Sequence, residues 1–250
     1  MPYSKDFFAF QLSCAHALAK RFRRNVGDIL YDYTTFSRSI ALIPDRPFDQ
    51  SNPVWQSYIN GLGKAVDEAE WTHDFYLNHC ADDPLSTDEE FNGNMLFGSF
   101  YFVLRDNHII RPHFIKLGDD TSPHSLIGKE RMVESLGNLK NMFQYVKDNV
   151  GGAKTVMGNT WLYNLEAYRR LYPPEYTAQM VENESHGFQF LSLWGQFFDR
   201  NWQVKDLLAD ELLNRIAALN SLENLRFCFP YQALMPHFNI QAFYDFYGIN

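Results

Sequence analysis

The richest set of chemistry-bearing side chains lies between residues 113 and 170. His113 is followed by Gly118-Asp119-Asp120-Thr121-Ser122-Pro123-His124, and further on come Asn159-Thr160-Trp161-Leu162-Tyr163-Asn164, Glu166, Arg169 and Arg170. An imidazole titrates near neutrality, so His113 suits the work of a general base taking a proton from an amine or hydroxyl nucleophile. Asp119 or Asp120 would orient it, as the third group of a nucleophile–base–orienter set does. Asn159, Thr160, Asn164 and Arg169 would bind a small-molecule substrate, with Trp161 as an apolar wall. Taken singly, the Asp and Ser residues read as turn and cap residues and Trp161 as core. Their convergence at one end of a sheet is what raises them together.

A second set is Glu70-x-x-His73 with His79. Glu and His three apart share a helical face, the arrangement that carboxylate-bridged di-iron bundles use, and it predicts a metal-dependent oxidase. That chemistry needs two such motifs and the chain has one, so a histidine paired with Glu70 across one turn is the plainer reading and no metal is the first expectation. The basic run Lys20-Arg21-Phe22-Arg23-Arg24 offers phosphate binding, against a solvated helix end whose cations complement the macrodipole. There is no Gly-x-Ser-x-Gly elbow and no Walker A loop. Asn60-Gly61-Leu62-Gly63-Lys64 falls inside a helical pattern, and Cys228 between Phe227 and Phe229 reads as a small buried hydrophobe.

The elements that must position these groups divide into two parts. Residues 1–85 are helical in pattern. Phe8, Leu12, Ala15, Leu18 and Phe22 form one stripe capped by Ser4, and a second helix runs from about Pro53 to Cys80 with Ile59, Leu62, Val66, Ala69, His73 and Tyr76 inward. The prolines at 44, 47 and 53 mark a loop, and the acidic, turn-rich stretch 81–94 marks a boundary. From residue 95 to 250 the pattern is mixed. Residues 95–105 and 108–116 form a hairpin about Asp106-Asn107, with Pro112 pushing the second strand toward an edge or a bulge. A helix over 128–150 ends at Gly151-Gly152, and a strand over 154–163 completes a parallel βαβ crossover. A short helix over 165–172, a buried strand over 188–198, a helix over 203–219 and an aromatic tail over 240–247 follow. The expected class is α+β or α/β, as a helical part packed on a mixed-sheet domain or as one continuous domain.

Composition narrows the partners. The 250 residues are 46% hydrophobic and 21% charged, which specifies a folded chain. A net charge of −8 argues against nucleic acid as a partner. The three scattered cysteines predict no disulfide framework and suit a reducing cytoplasm. No run approaches the roughly 18 apolar residues of a membrane span. Oligomeric state is left open.

His113 on its strand, the Ser-Pro-led loop, the helix around Ser135-Leu136 to Phe143, the strand ending in Thr160-Trp161-Leu162 and the Leu171 to Pro174 turn resemble the C-terminal part of GNAT-like N-acyltransferases with an α-helical N-terminal domain. The likeness covers about residues 95–200 and consists of spaced hydrophobic and aromatic positions. It implies a GNAT-like sheet domain, acyl transfer as the reaction and acyl-CoA as cosubstrate. The Gln/Arg-x-x-Gly-x-Gly/Ala loop that holds the pyrophosphate in that superfamily is absent; neither 125–128 nor Gly151-Gly152 matches it, so the cofactor stays open. Three expectations stand side by side: an acyl-transfer enzyme, a metal-dependent oxidase, and a non-enzymatic interaction module.

Overall fold

A computed structural model of the chain describes residues 3–40, 50–79, 95–115, 128, 131–184, 187–199 and 201–250. Five helices come first: α1 (Lys5–Phe22), α2 (Val26–Tyr33), α3 (Phe36–Ser39), α4 (Pro53–Leu62) and α5 (Glu68–His79). Then come β1 (Phe100–Arg105), β2 (Ile109–Phe114), α6 (Met132–Asn149) and β3 (Thr155–Met157). The rest is α7 (Glu166–Arg169), α8 (Pro174–Thr177), α9 (Leu191–Trp194), α10 (Asp206–Ala218), β4 (His237–Asn239) and α11 (Gln241–Tyr247), with 3₁₀ turns at 161–164, 195–197 and 222–228. The fold is α+β, helices with one four-stranded mixed sheet.

The chain forms two compact units: Met1–Glu89 with Ser185–Gln232, and Glu90–Glu184 with Ala233–Asn250. The sequence division at 85–95 left residues 185–232 with the second part, whereas they cluster with the first helices. In the first unit Ser4 caps α1, its Oγ accepting from the Phe7 N–H at 3.2 Å. The helix buries Phe7, Phe8, Leu12, Cys14, Ala15 and Leu18. The single helix expected over 53–80 is two, α4 and α5. α4 ends at Leu62 with Gly63 as its cap, and Gly61 lets α5 pack close: the Trp71 indole lies where a Gly61 Cβ would be, 1.9 Å away. Val66, expected inward, lies in the connection and is fully exposed. The strand expected over 188–198 is α9 followed by a 3₁₀ turn. Leu193, Trp194, Phe197 and Phe198 are buried at helical steps, a period that outweighs the β-prone residue types.

In the second unit the strand order is β1-β2-β3-β4, with β1–β2 antiparallel, β2–β3 parallel and β3–β4 antiparallel. The crossover through α6 has the parallel pairing that the strand–helix–strand pattern predicts. Asp106 and Asn107 both take positive φ, 50° and 58°, the twist a two-residue hairpin requires. β1 starts only at Phe100, because Gly98 turns the chain at φ 59°. β3 is three residues, not ten, because the chain curls into the 161–164 turn after Met157. Pro112 lies on an inner strand. The Ile115 N–H donates to Ser99 O at 2.9 Å, so alternation aims the Pro112 nitrogen toward the β3 side, where the ladder has already ended at Ile110–Val156. One sheet face, with Phe100, Ile110 and Val156, packs on Leu139, Met142, Phe143 and Val146 of α6 and Phe243 and Tyr247 of α11. Register places Tyr101, Val103, Arg111, His113 and Met157 on the other face.

Candidate functional site

His113 stands near the carboxyl end of β2, directly opposite Tyr101 in the β1–β2 register. The two rings stack, centroids 4.7 Å apart and planes 21° apart, a cross-strand contact that fixes the imidazole. Tyr101 is fully buried and His113 is half-buried with its Nε2 atom buried. Asp119 and Asp120, expected to orient the imidazole, lie outside the described residues.

The other expected residues gather in the turn after β3, and each makes a bond within that region. Asn159 Oδ1 accepts from the Asn183 amide at 3.3 Å. Thr160 exchanges backbone hydrogen bonds with Leu234 at 3.1 and 3.2 Å, and its Oγ1 accepts from the Leu162 N–H at 3.3 Å. Asn164 Nδ2 donates to Trp161 O at 2.7 Å. The Arg169 guanidinium donates to Tyr163 O at 3.3 Å and Asn164 O at 3.4 Å, stapling the turn. The structure thus brings Asn159, Thr160, Trp161, Asn164 and Arg169 into one knot, with polar groups that hold the turn in shape.

Behind this knot is a feature that sequence reasoning missed. Tyr163, Tyr168, Tyr172 and Tyr176 are all buried, with neighbouring ring centroids 5.1 to 5.9 Å apart. Their hydroxyls pair with one another, Tyr163 with Tyr176 at 2.7 Å and Tyr172 donating to Tyr168 at 2.9 Å, while Tyr247 donates to Leu171 O at 2.6 Å. Burial pushes the ionisation of Tyr163, Tyr172, Tyr176 and Tyr247 well above the ordinary tyrosine range, so the layer beneath the turn is neutral. Gly158 is where this layer meets the sheet: a Cβ there would lie 2.1 Å from the Tyr163 hydroxyl. The 5-, 4- and 4-residue tyrosine spacing is near-helical, but Pro173-Pro174 interrupts it and hides the pattern.

The second expected set does not form a metal site. Glu70 pairs with Lys5, which also holds Asp67 at 3.2 Å. His73 touches the Phe8 ring, and His79 stacks on Phe75 at 4.0 Å with its Nδ1 2.8 Å from Phe75 O. Among the described residues no three His, Cys, Asp or Glu side chains cluster as a metal would need. Cys14 and Cys228 are free thiols, and burial raises the pKa of both.

Two of the grooves on the described surface lie away from His113 and the 159–169 turn. One, of about 320 Å³, lies between Pro174, Glu175 and Phe238 and the α11 residues Ala242, Asp245 and Phe246. The other, of about 430 Å³, belongs to the first unit beside Phe22, Arg24 and Tyr33. Among the described residues no helix is long and apolar enough to cross a membrane. No protein-family model, curated protein or solved structure matches the chain.

Proposed function

We propose that the chain is an acyltransferase whose reacting groups meet at the carboxyl ends of β2 and β3. The observation that supports this most is the shortness of the parallel ladder. β2 and β3 pair only at Ile109–Thr155 and Ile110–Val156, while β2 continues along β1 to Phe114. His113 is three residues past the last parallel pair on β2, and Asn159 is three residues past it on β3. Ligands of sheets with parallel strands collect in the space beyond such ends. An extended, amide-bearing acyl carrier can hydrogen-bond there as an added strand would.

In this reading His113 takes the proton of an amine as its nitrogen attacks the acyl carbonyl; the carbonyl–sulfur bond breaks, and the imidazolium returns the proton to the departing thiolate. The carboxylate assigned to orienting the imidazole is Asp119 or Asp120, on sequence position alone. The Tyr101 ring keeps it from swinging, and the tyrosine layer under Gly158 keeps the Asn159–Asn164 turn rigid. The carrier's anionic end has no glycine-rich loop to hold it. Gly151-Gly152 follows the carboxyl end of α6, where exposed carbonyls repel anions. The net negative charge and scattered cysteines support a cytoplasmic setting and a small-molecule acceptor, without nucleic acid.

The test is a melting series with acetyl-, butyryl- and lauroyl-CoA, followed by transfer assays on amine acceptors. A bound donor raises Tm by mass action. His113→Ala is expected to keep that rise while turnover falls by about 10²–10⁴-fold. A flat Tm across all chain lengths, with no transfer, overturns the proposal.

A further inference from the structure

The groove of the first unit rests on a different set of residues and stands independently of the acyl-transfer reading. α1 ends at Phe22, and Arg23 takes the left-handed conformation, φ 54°, as its cap. The Arg24 N–H then closes back on Ala19 O at 3.0 Å, and the Asn25 side chain caps α2 by accepting from the Gly27 N–H at 2.7 Å. Arg24 is thereby set between two capped helix ends, on the same groove wall as Phe22 and the last α2 residue, Tyr33. The opposite wall is the 220–223 segment. Arg21 ties it to α1, its Nε donating to Leu219 O, and Ser221 accepts from the Glu223 N–H at 3.3 Å. Tyr33 is braced from behind by Phe188, ring centroids 5.5 Å apart. The groove, of about 430 Å³, is shallow and open to solvent.

Its electrostatics select the ligand. Arg24 is exposed and its guanidinium makes no hydrogen bond or ion pair with the described residues, although its charge is felt by Asp32 and by the Tyr33 hydroxyl. A guanidinium has a planar donor fork that matches a carboxylate or phosphate. Lys20, Arg21 and Arg23 add positive charge along the same turn, concentrated on a chain whose net charge is −8. Asp28 and Asp32 on α2 and Glu223 in the far wall are the acidic groups nearby, and none of them is paired with Arg24. Phe22 and Tyr33 supply two aromatic surfaces next to it.

We propose that this groove binds a planar aromatic anion, with the ring of the ligand on Phe22 and Tyr33 and its carboxylate or phosphate on Arg24. The test titrates the whole chain with phenyl phosphate and with benzoate, by calorimetry and by amide chemical shifts, alongside inorganic phosphate and benzylamine. Both aromatic anions are expected to bind and to shift residues 22–33 and 220–223, with inorganic phosphate at least about tenfold weaker. Arg24→Gln should weaken phenyl phosphate about tenfold or more, as the loss of a charged hydrogen-bond donor does. Glu223→Gln should strengthen it by removing a like charge. Both side chains are exposed, so an unchanged Tm in each variant keeps the comparison clean. Equal binding of inorganic phosphate, binding of benzylamine that Glu223→Gln removes, or no shift at either wall each overturns the proposal.

Discussion

Tyr163 and Tyr176 share one hydrogen bond in a fully buried setting, so neither hydroxyl can lose its partner cheaply. Tyr176→Phe is expected to cost about 1–3 kcal/mol, because Tyr163 then keeps a desolvated hydroxyl. Removing both hydroxyls should cost less than the two single changes added, and a double-mutant cycle of denaturant melts reads the difference. At Gly158 the expected loss has another origin. An alanine Cβ would meet the Tyr163 hydroxyl at 2.1 Å, so Gly158→Ala should destabilise by about 1–3 kcal/mol, with part recovered in a chain that also carries Tyr163→Phe. None of this was legible in the residue types. A tyrosine in a sequence does not show whether its hydroxyl meets water or another tyrosine. Polar neighbours such as Asn159 and Asn164 read as substrate ligands, while in the fold Asn159 accepts from Asn183 and Asn164 donates within its own turn to Trp161 O. The place of His113 on the second hairpin strand was legible, because the apolar runs either side of Asp106-Asn107 announce the hairpin.

Elements with one clear stripe were read correctly. α1, α6 and α10 each repeat apolar residues at 3- and 4-residue steps, and the Asp106-Asn107 hairpin announces itself by its turn residues. The errors came where two signals competed. Across 188–198 the aromatic and apolar run reads as a buried strand, but the buried positions keep a helical period. Across 53–80 the apolar pattern runs on through the corner at 63–67, and the contact that accompanies that corner, Trp71 on Gly61, joins residues from two different helices. Helix ends also allow a graded prediction. Ser4 caps α1 and its hydroxyl donates to Trp202 O at 2.6 Å, so Ser4→Ala should cost about 0.5–2 kcal/mol. Lys5→Met, one residue away, should leave Tm unchanged, because its ion pairs with Asp67 and Glu70 are exposed. Comparable losses for the two variants would show that the cap contributes nothing special.

At the scale of the whole molecule the buried tyrosines set an alkaline limit. Tyr163, Tyr172, Tyr176 and Tyr247 ionise far above their ordinary value near 10 because the fold withholds water from them. Above about pH 10 the unfolded chain sheds protons that the folded chain keeps, so stability, undiminished below that pH, falls as pH rises further. Followed together, tyrosinate absorbance and circular dichroism should show the absorbance of the buried hydroxyls appearing only as the dichroism is lost, as a late step beyond the ionisation of the remaining tyrosines. A smooth titration of every tyrosine near pH 10, with the dichroism unchanged, would contradict this.

The two compact units are each made from two stretches of chain, 1–89 with 185–232 and 90–184 with 233–250. During synthesis, then, the helices that emerge first have to wait. Phe10 of α1 reaches its ring partners Trp194 and Phe197 only after about 185 further residues have been made, and the sheet unit lacks β4 and α11 until still later. Neither unit can be released by a single cut. A fragment ending at residue 94 should remain a loosely ordered, protease-sensitive chain, and adding residues 185–232 in trans should restore its protection. The order in which the polypeptide is made is therefore not the order in which it can become stable, and nascent chains of intermediate length are the ones that should engage chaperones.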